Sequence, residues 1–289
     1  MAFFPQSNLT WKILNDAEAG GYAVPAFNCY NQDAIMGAIK AAENLKAPAI
    51  IEIFPWSIHT QGEAFVRYAA DAAHSAKVPI ALHLDHCIEE ADIYIALELP
   101  FDSIMVDASS QDPEENVKFV KKIVDIATTK GITIEAEMGR IQGGEDGLPT
   151  VDMEALYTEP ELAADFVART GVHFLAPSFG NVHGPYPPGG PEKYWQLDRV
   201  AKIKELSPPS VRLVLHGTNP IFVPLIESVI SNGVRKVNMN KNLYVKYRKF
   251  MADNIEQMEM TKLQDGAVAA MAEDCEWGLK LVHADGKAT

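Results

Sequence analysis

The sequence predicts an α/β fold, a single-domain closed (β/α)8 TIM barrel. Short apolar runs alternate with longer stretches of helical period almost from end to end, and the apolar runs number eight. No composition shift, repeat or low-complexity linker divides the 289 residues, so the whole chain, 1–289, is assigned to one domain. An open doubly wound sheet can also carry eight strands, but uninterrupted β-then-α units favour closure.

In order, the predicted strands are "YAVPAFN" (22–28), "AIIEIF" (49–54), "IALHLDH" (80–86) and "SIMVDA" (103–108). The second half supplies "ITIEAEMG" (132–139), "HFLAPSFG" (173–180), "RLVLHG" (212–217) and "KVNMN" (236–240). Most are short runs rich in Val, Ile, Leu or Phe, as expected of strands buried on both faces of a parallel sheet. Between them, "NQDAIMGAIKAAENLK", "GEAFVRYAADAAHSA", "DPEENVKFVKKIVDIATTKG" and "NPIFVPLIESVISNG" read as helices, several with Asn, Asp or Gly at their ends. Two connections are longer than a usual βα loop. "QGGEDGLPTVDMEALYTEPE" follows the fifth strand and "NVHGPYPPGGPEKYWQLD" the sixth, and segments of that length often act as lids or binding loops.

Composition narrows the function. A net charge of −14 repels phosphate backbones and anionic lipid, which argues against nucleic-acid or membrane partners. The three cysteines, Cys29, Cys87 and Cys275, lack CxxC spacing, so neither a disulfide framework nor a zinc knuckle is expected and a reducing, cytoplasmic setting fits. The N-terminus has no basic region followed by an uninterrupted apolar one, and no window offers a membrane span.

Polar residues collect at the C-terminal ends of the predicted strands. Asn28, Asp85 with His86, Asp107, Glu135 with Glu137, His183, His216 and Asn238 all fall there, where a barrel gathers them at one mouth. Any one of the histidines alone reads as an ordinary hydrogen-bonded residue. Together, His86, His183 and His216 from strands 3, 6 and 7 form the three-imidazole set that leaves a metal, zinc for instance, one open position for a substrate oxygen.

Strict alternation would turn Asp85 and His86 to opposite faces, so the strand must end or bulge between them if both serve one site. Asp85 then either moves a proton or orients a histidine. His83 shares a face with Asp85 and reads as a supporting residue. Cys87 reads either as a soft ligand or, being a lone thiol, as a small packing residue, and His59, His74, His173 and His283 as background. In "GGEDG", Glu145 is either part of a solvated loop or an acid–base group carried by a mobile one.

Over nearly its whole length the chain resembles the class II, zinc-dependent fructose- and tagatose-bisphosphate aldolases. The matching stretches are "VPAFNCYN", "LHLDHC", "SIMVDAS", "EAEMGRIQGGEDG", "ALYTEPELAADFVARTGVHFLA", "GNVHGPY", "LVLHG" and "KVN". The resemblance implies reversible aldol cleavage of a ketose bisphosphate. It implies a metal on His86, His183 and His216, with Glu137 as an alternative ligand. The ion would be zinc or another divalent cation, with a monovalent cation as a further candidate. It gives Asp85 proton transfer at an oxygen and Glu145 proton transfer at a carbon. Asn28, Asp107, Gly184, Gly217 and Asn238 match residues that hold substrate. A homodimer or homotetramer is the implied assembly, and a sugar phosphate or related keto-sugar the implied partner.

The phosphate-holding residues depart from that pattern. "HGTNP" offers Asn219 and Pro220 where Ser and Gly are expected, and Pro removes a backbone donor. Lys241 replaces a Thr, and its ammonium can meet a phosphate or a carboxylate. Asn240 stands where the two sugar classes carry Asp or Ala. Phe54 and Trp56 either narrow the aldehyde side or are simple repacking. Three readings follow: a bisphosphate aldolase, a related lyase acting on another keto-sugar or keto-acid, and a metal-binding homologue without activity.

Overall fold

The structure is a computed structural model that describes residues 4–141, 157–184, 186 and 188–288. Eight parallel strands close into a barrel in sequence order: β1 Val24–Asn28, β2 Ala49–Ile53, β3 Ile80–Cys87, β4 Ser103–Val106, β5 Thr133–Met138, β6 Phe174–Pro177, β7 Arg212–Leu215 and β8 Val234–Met239. β1 pairs with β8 through Ala26 and Asn238, so no edge remains. This is the single-domain TIM barrel expected from the sequence.

Local chemistry sets the helix boundaries. Helix α2 (Gln32–Leu45) starts where Asn31 accepts from Ala34 N, and α5 (Pro113–Lys130) where Asp112 caps Glu114 N ahead of a Pro at the first turn. α5 and α6 (Pro160–Thr170) both stop at a glycine in the left-handed region, Gly131 and Gly171. Helix α3 (Pro55–His74) begins seven residues before the predicted stretch and breaks at Gly62 (φ 75°), so Trp56 lies on a helix rather than at a strand end. The short α4 (Glu90–Ala96) crosses from β3 to β4.

Helix α1 (Leu9–Gly20), which the alternation of apolar runs did not reveal, packs beneath the N-terminal ends of the strands. Its cap residue Asn8 donates to the carbonyls of Asp102 and Gly131 at 2.7 and 2.9 Å, and Thr10 meets Ser103 at 3.0 Å. At the other end of the chain, the long helix Met260–Leu281 lies against α2, with Gly37 pressed onto Met271.

The decisive local feature is in β3. Its pairing with β4 shifts register between Leu84 and Cys87, and His86 takes a left-handed conformation (φ 42°). A bulge of this kind re-aims side chains. It is why Asp85 and His86, adjacent in sequence, line the same cavity. Cys87 returns to the ladder opposite Val106 and is fully buried, as a packing residue would be.

Candidate active site

The barrel mouth gathers Asn28, Asp85, His86, His183, His216, Gly217, Asn238 and Asn240 around a cavity of about 10 Å³. That is the size of a single water or ion. The ring centroids of His86, His183 and His216 are 4.7 to 5.9 Å apart, and one ligand atom from each lies within 4.8 Å of the other two. His86 Nε2 and His216 Nδ1 face each other at 2.8 Å.

The His86 and His216 rings are held from behind. His86 Nδ1 is 2.7 Å from Asp107 Oδ2, and Asp107 Oδ1 accepts from the backbone and hydroxyl of Ser109. His216 Nε2 is 2.8 Å from Glu135 Oε1. Outer partners of this kind fix which nitrogen faces a metal. Glu137 joins His86 and Asp107 in a second cluster of ligand atoms within 4.8 Å, while its Oε1 accepts from Ile141 N at 3.0 Å.

Burial drives His183 and His216 well below the usual histidine range, aided in both by His86 and further by His216 for His183 and by Lys236 for His216, so both are neutral and have a lone pair to give. Burial opposes a charge on His86 too, but Asp85 and the hydrogen bond to Asp107 override it and raise His86 to about 10. Burial and the Asp107 carboxylate push Glu137 up to about 8. The hydrogen bonds and charge of His86 and Ser109 hold Asp107 far below the ordinary carboxylate value despite its burial. The field that holds a proton on His86 is the field that would hold a cation there instead. Three converging nitrogens with carboxylates behind them suit a borderline divalent ion, so the residues fit the metal site that the sequence implied.

Asp85 is buried beside the rings. Asn28 Nδ2 donates to its Oδ2 at 2.9 Å and Asn238 Nδ2 to its Oδ1 at 3.1 Å, while His86 Nε2 lies 4.0 Å away. Gly217 has φ 71°, and a Cβ there would sit 2.6 Å from Val182 O, so the loops after β6 and β7 approach as closely as they do only because the residue is glycine. Gly184, beside His183, also has positive φ (110°). Asn219 and Lys241 do not line the cavity, and Lys241 is exposed. Glu145 lies outside the described residues.

The chain matches the family described as Fructose-bisphosphate aldolase class-II over residues 8–287. It belongs to that family. A protein of Coccidioides immitis (strain RS), provisionally named a fructose-bisphosphate aldolase, is 40% identical over 98% of this chain and 96% of its own. A crystal structure described in the same provisional terms, from Coccidioides immitis, superposes with a TM-score of 0.93 at 40% identity, covering 98% of both chains. The fructose-bisphosphate aldolase of Thermus caldophilus is 32% identical over 96% of this chain and 98% of its own. The crystal structure of the YdjI aldolase from Escherichia coli K12 gives a TM-score of 0.85 at 32% identity, covering 97% and 98%. Members of the family share the metal-dependent aldolase chemistry to which this donor set corresponds.

Below the family's expected residues lies a layer of His83, Glu52 and Lys236, all fully buried, of which the strand pattern had marked only His83. His83 Nδ1 is 2.7 Å from Ser103 Oγ, a supporting position as expected. Lys236 and Glu135 precede Asn238 and Glu137 by two residues, and period two alone would have turned them inward beside the site. On the rim, Tyr30 packs against Phe54 and Trp56, and its hydroxyl donates to Asn240 at 3.0 Å. Phe54 is core packing, whereas Trp56 is 41% exposed at the mouth. No helix among the described residues is long and apolar enough to cross a membrane.

Proposed function

We propose that the protein is a metal-dependent aldehyde-lyase that reversibly cleaves a ketose phosphate, with fructose 1,6-bisphosphate as the leading substrate. Dihydroxyacetone phosphate and glyceraldehyde 3-phosphate would be the products. The observation that carries the reading is Asp85 sharing one cavity with His86, His183 and His216. The names of the Thermus caldophilus and Coccidioides immitis relatives support the sugar, and the altered "HGTNP" turn keeps other ketoses in view.

His86, His183 and His216 would hold a divalent ion such as zinc, with Glu137 in reserve, and the ion would stabilise the charge left on the ketone fragment as the bond breaks. Asp85 accepts the proton of the substrate hydroxyl on the aldehyde side during cleavage and returns it during condensation; Asn28 and Asn238 keep both its oxygens aimed. Glu145 exchanges the proton at the carbon of the ketone fragment. Gly184 and Gly217 bring backbone close to the substrate, and Lys241 and Asn219 meet its anionic group from the rim.

The test is a product assay on fructose 1,6-bisphosphate, tagatose 1,6-bisphosphate and unphosphorylated ketoses, run after chelation and again after zinc is restored. Cleavage that disappears with chelator and returns with zinc is expected. Cleavage that survives complete metal removal would refute the mechanism, and activity confined to non-bisphosphates would replace the substrate.

A further inference from the structure

Lys236 lies inside the barrel with no exposed surface, at a level where such interiors ordinarily hold Val, Ile or Leu. An ammonium is costly to take out of water unless opposite charges surround it. Its Nζ is 2.6 Å from Glu52 Oε1 and 2.9 Å from Glu135 Oε2, and it donates to Asn238 Oδ1 at 2.8 Å. Glu52 balances the charge; the other two contacts lead to the site.

The first contact runs through Glu135. With Oε2 on Lys236, its Oε1 meets His216 Nε2 at 2.8 Å, so His216 carries its proton on Nε2 and turns a bare Nδ1 toward His86. The second runs through Asn238. Because the amide oxygen accepts from Lys236, the amide nitrogen must be the atom facing Asp85, at 3.1 Å. Were Asn238 flipped, an oxygen would confront the Asp85 carboxylate.

We propose that Lys236 is a positioning residue that orients the group at position 135 beside His216 and, through Asn238, sets the aim of Asp85. The proposal rests on the reading of this site as a metal-dependent aldol centre. A lysine that merely filled the barrel and neutralised two carboxylates would transmit nothing to either group.

The test uses Co(II) affinity, measured by chelator competition and by the visible spectrum, on the full chain and on Glu135→Gln, Lys236→Met and the double variant. In Glu135→Gln the new carbonyl turns to Lys236 and the amide NH2 to His216, which drives the His216 proton onto Nδ1 and spoils a ligand. Removing Lys236 from that background frees the carbonyl to accept from His216 Nε2 again. Glu135→Gln should therefore weaken Co(II) binding about 10- to 100-fold and alter the spectrum, whereas Lys236→Met, which leaves a carboxylate to accept from His216 Nε2, should stay within about 3-fold of the parent. The double should recover to within about 3-fold of the parent, a non-additivity that a structural lysine would not give. In Co(II)-saturated Lys236→Met, kcat should fall while KM holds.

A double as weak as Glu135→Gln, a Glu135→Gln variant that binds Co(II) like the parent, a Lys236→Met variant with unchanged kcat, or a double that fails to fold would each overturn the proposal. A parent chain that binds no Co(II) would instead overturn the metal-centre reading itself.

Discussion

At the N-terminal end of the barrel, Asn8 donates to two backbone carbonyls and accepts from Trp11 N and the Thr133 hydroxyl. At the C-terminal end, Asn28 and Asn238 donate to the carboxylate of Asp85. Both ends are closed by buried, well-bonded asparagines. At the lower end the partners are mostly backbone, and the bonds finish a helix cap and seal the barrel. At the upper end the partners are titratable side chains, and the bonds aim a group that can move a proton. What a buried polar residue is bonded to, more than its burial, separates chemistry from scaffold.

The sharpest way to break that comparison lies within the upper end. His216→Ala removes one of the three nitrogens, so bound metal should fall at least about 100-fold and cleavage with it. Asp85→Ala removes no metal ligand. It should leave metal content unchanged and lower kcat by about 10²- to 10⁴-fold, the worth of a positioned acid or base. Metal analysis alongside steady-state rates separates the two. Normal turnover in either variant, or metal loss in Asp85→Ala, would show that the upper cluster is not divided into holding and proton-moving residues.

The lower end should respond in stability alone. Asn8→Ala deletes the α1 cap and takes one donor from each of the Asp102 and Gly131 carbonyls, of which Asp102 keeps Thr133, at a cost of about 1–3 kcal/mol. Urea unfolding should show the loss as a lower midpoint with an unchanged slope, and metal affinity should stay within about 3-fold of the parent. Weakened metal binding without a shift in midpoint would erase the distinction between the ends.

The sequence made the upper end legible for a physical reason. Strand C-termini in a barrel converge, so His86, His183 and His216 could be placed together without coordinates, and the period of two required the break that appears at His86. The lower end left no such mark. α1 precedes the first β-then-α unit, and its role depends on backbone carbonyls, which every residue carries. Lys236 and Glu52 escaped because charged residues within strands were not followed inward by alternation, although Lys236 stands two places before Asn238. Lys241 and Asn219 stand out only through a motif, and the motif does not fix where a side chain after the turn will point; neither lines the cavity.

His173 supplies the smallest effect at neutral pH and a second check on the lower end. It precedes β6, and its Nδ1 accepts from Ile134 N at 3.1 Å, a bond open only to the neutral ring. Burial lowers it from the ordinary 6.5 to about 4. The unfolded chain therefore takes up a proton at this position near pH 6.5 that the folded chain refuses until about pH 4. The stability due to neutral His173 is complete above pH 6.5 and is lost progressively as pH falls toward 4. His173→Gln keeps an acceptor for Ile134 and removes the titration. Thermal midpoints of parent and variant should differ little at pH 7.5. Between pH 6 and about 4.5 the parent should fall more steeply, with metal affinity at pH 7.5 the same in both. Parallel curves across that window would mean that the acid sensitivity of the fold lies elsewhere, among the carboxylates and imidazoles of the upper end.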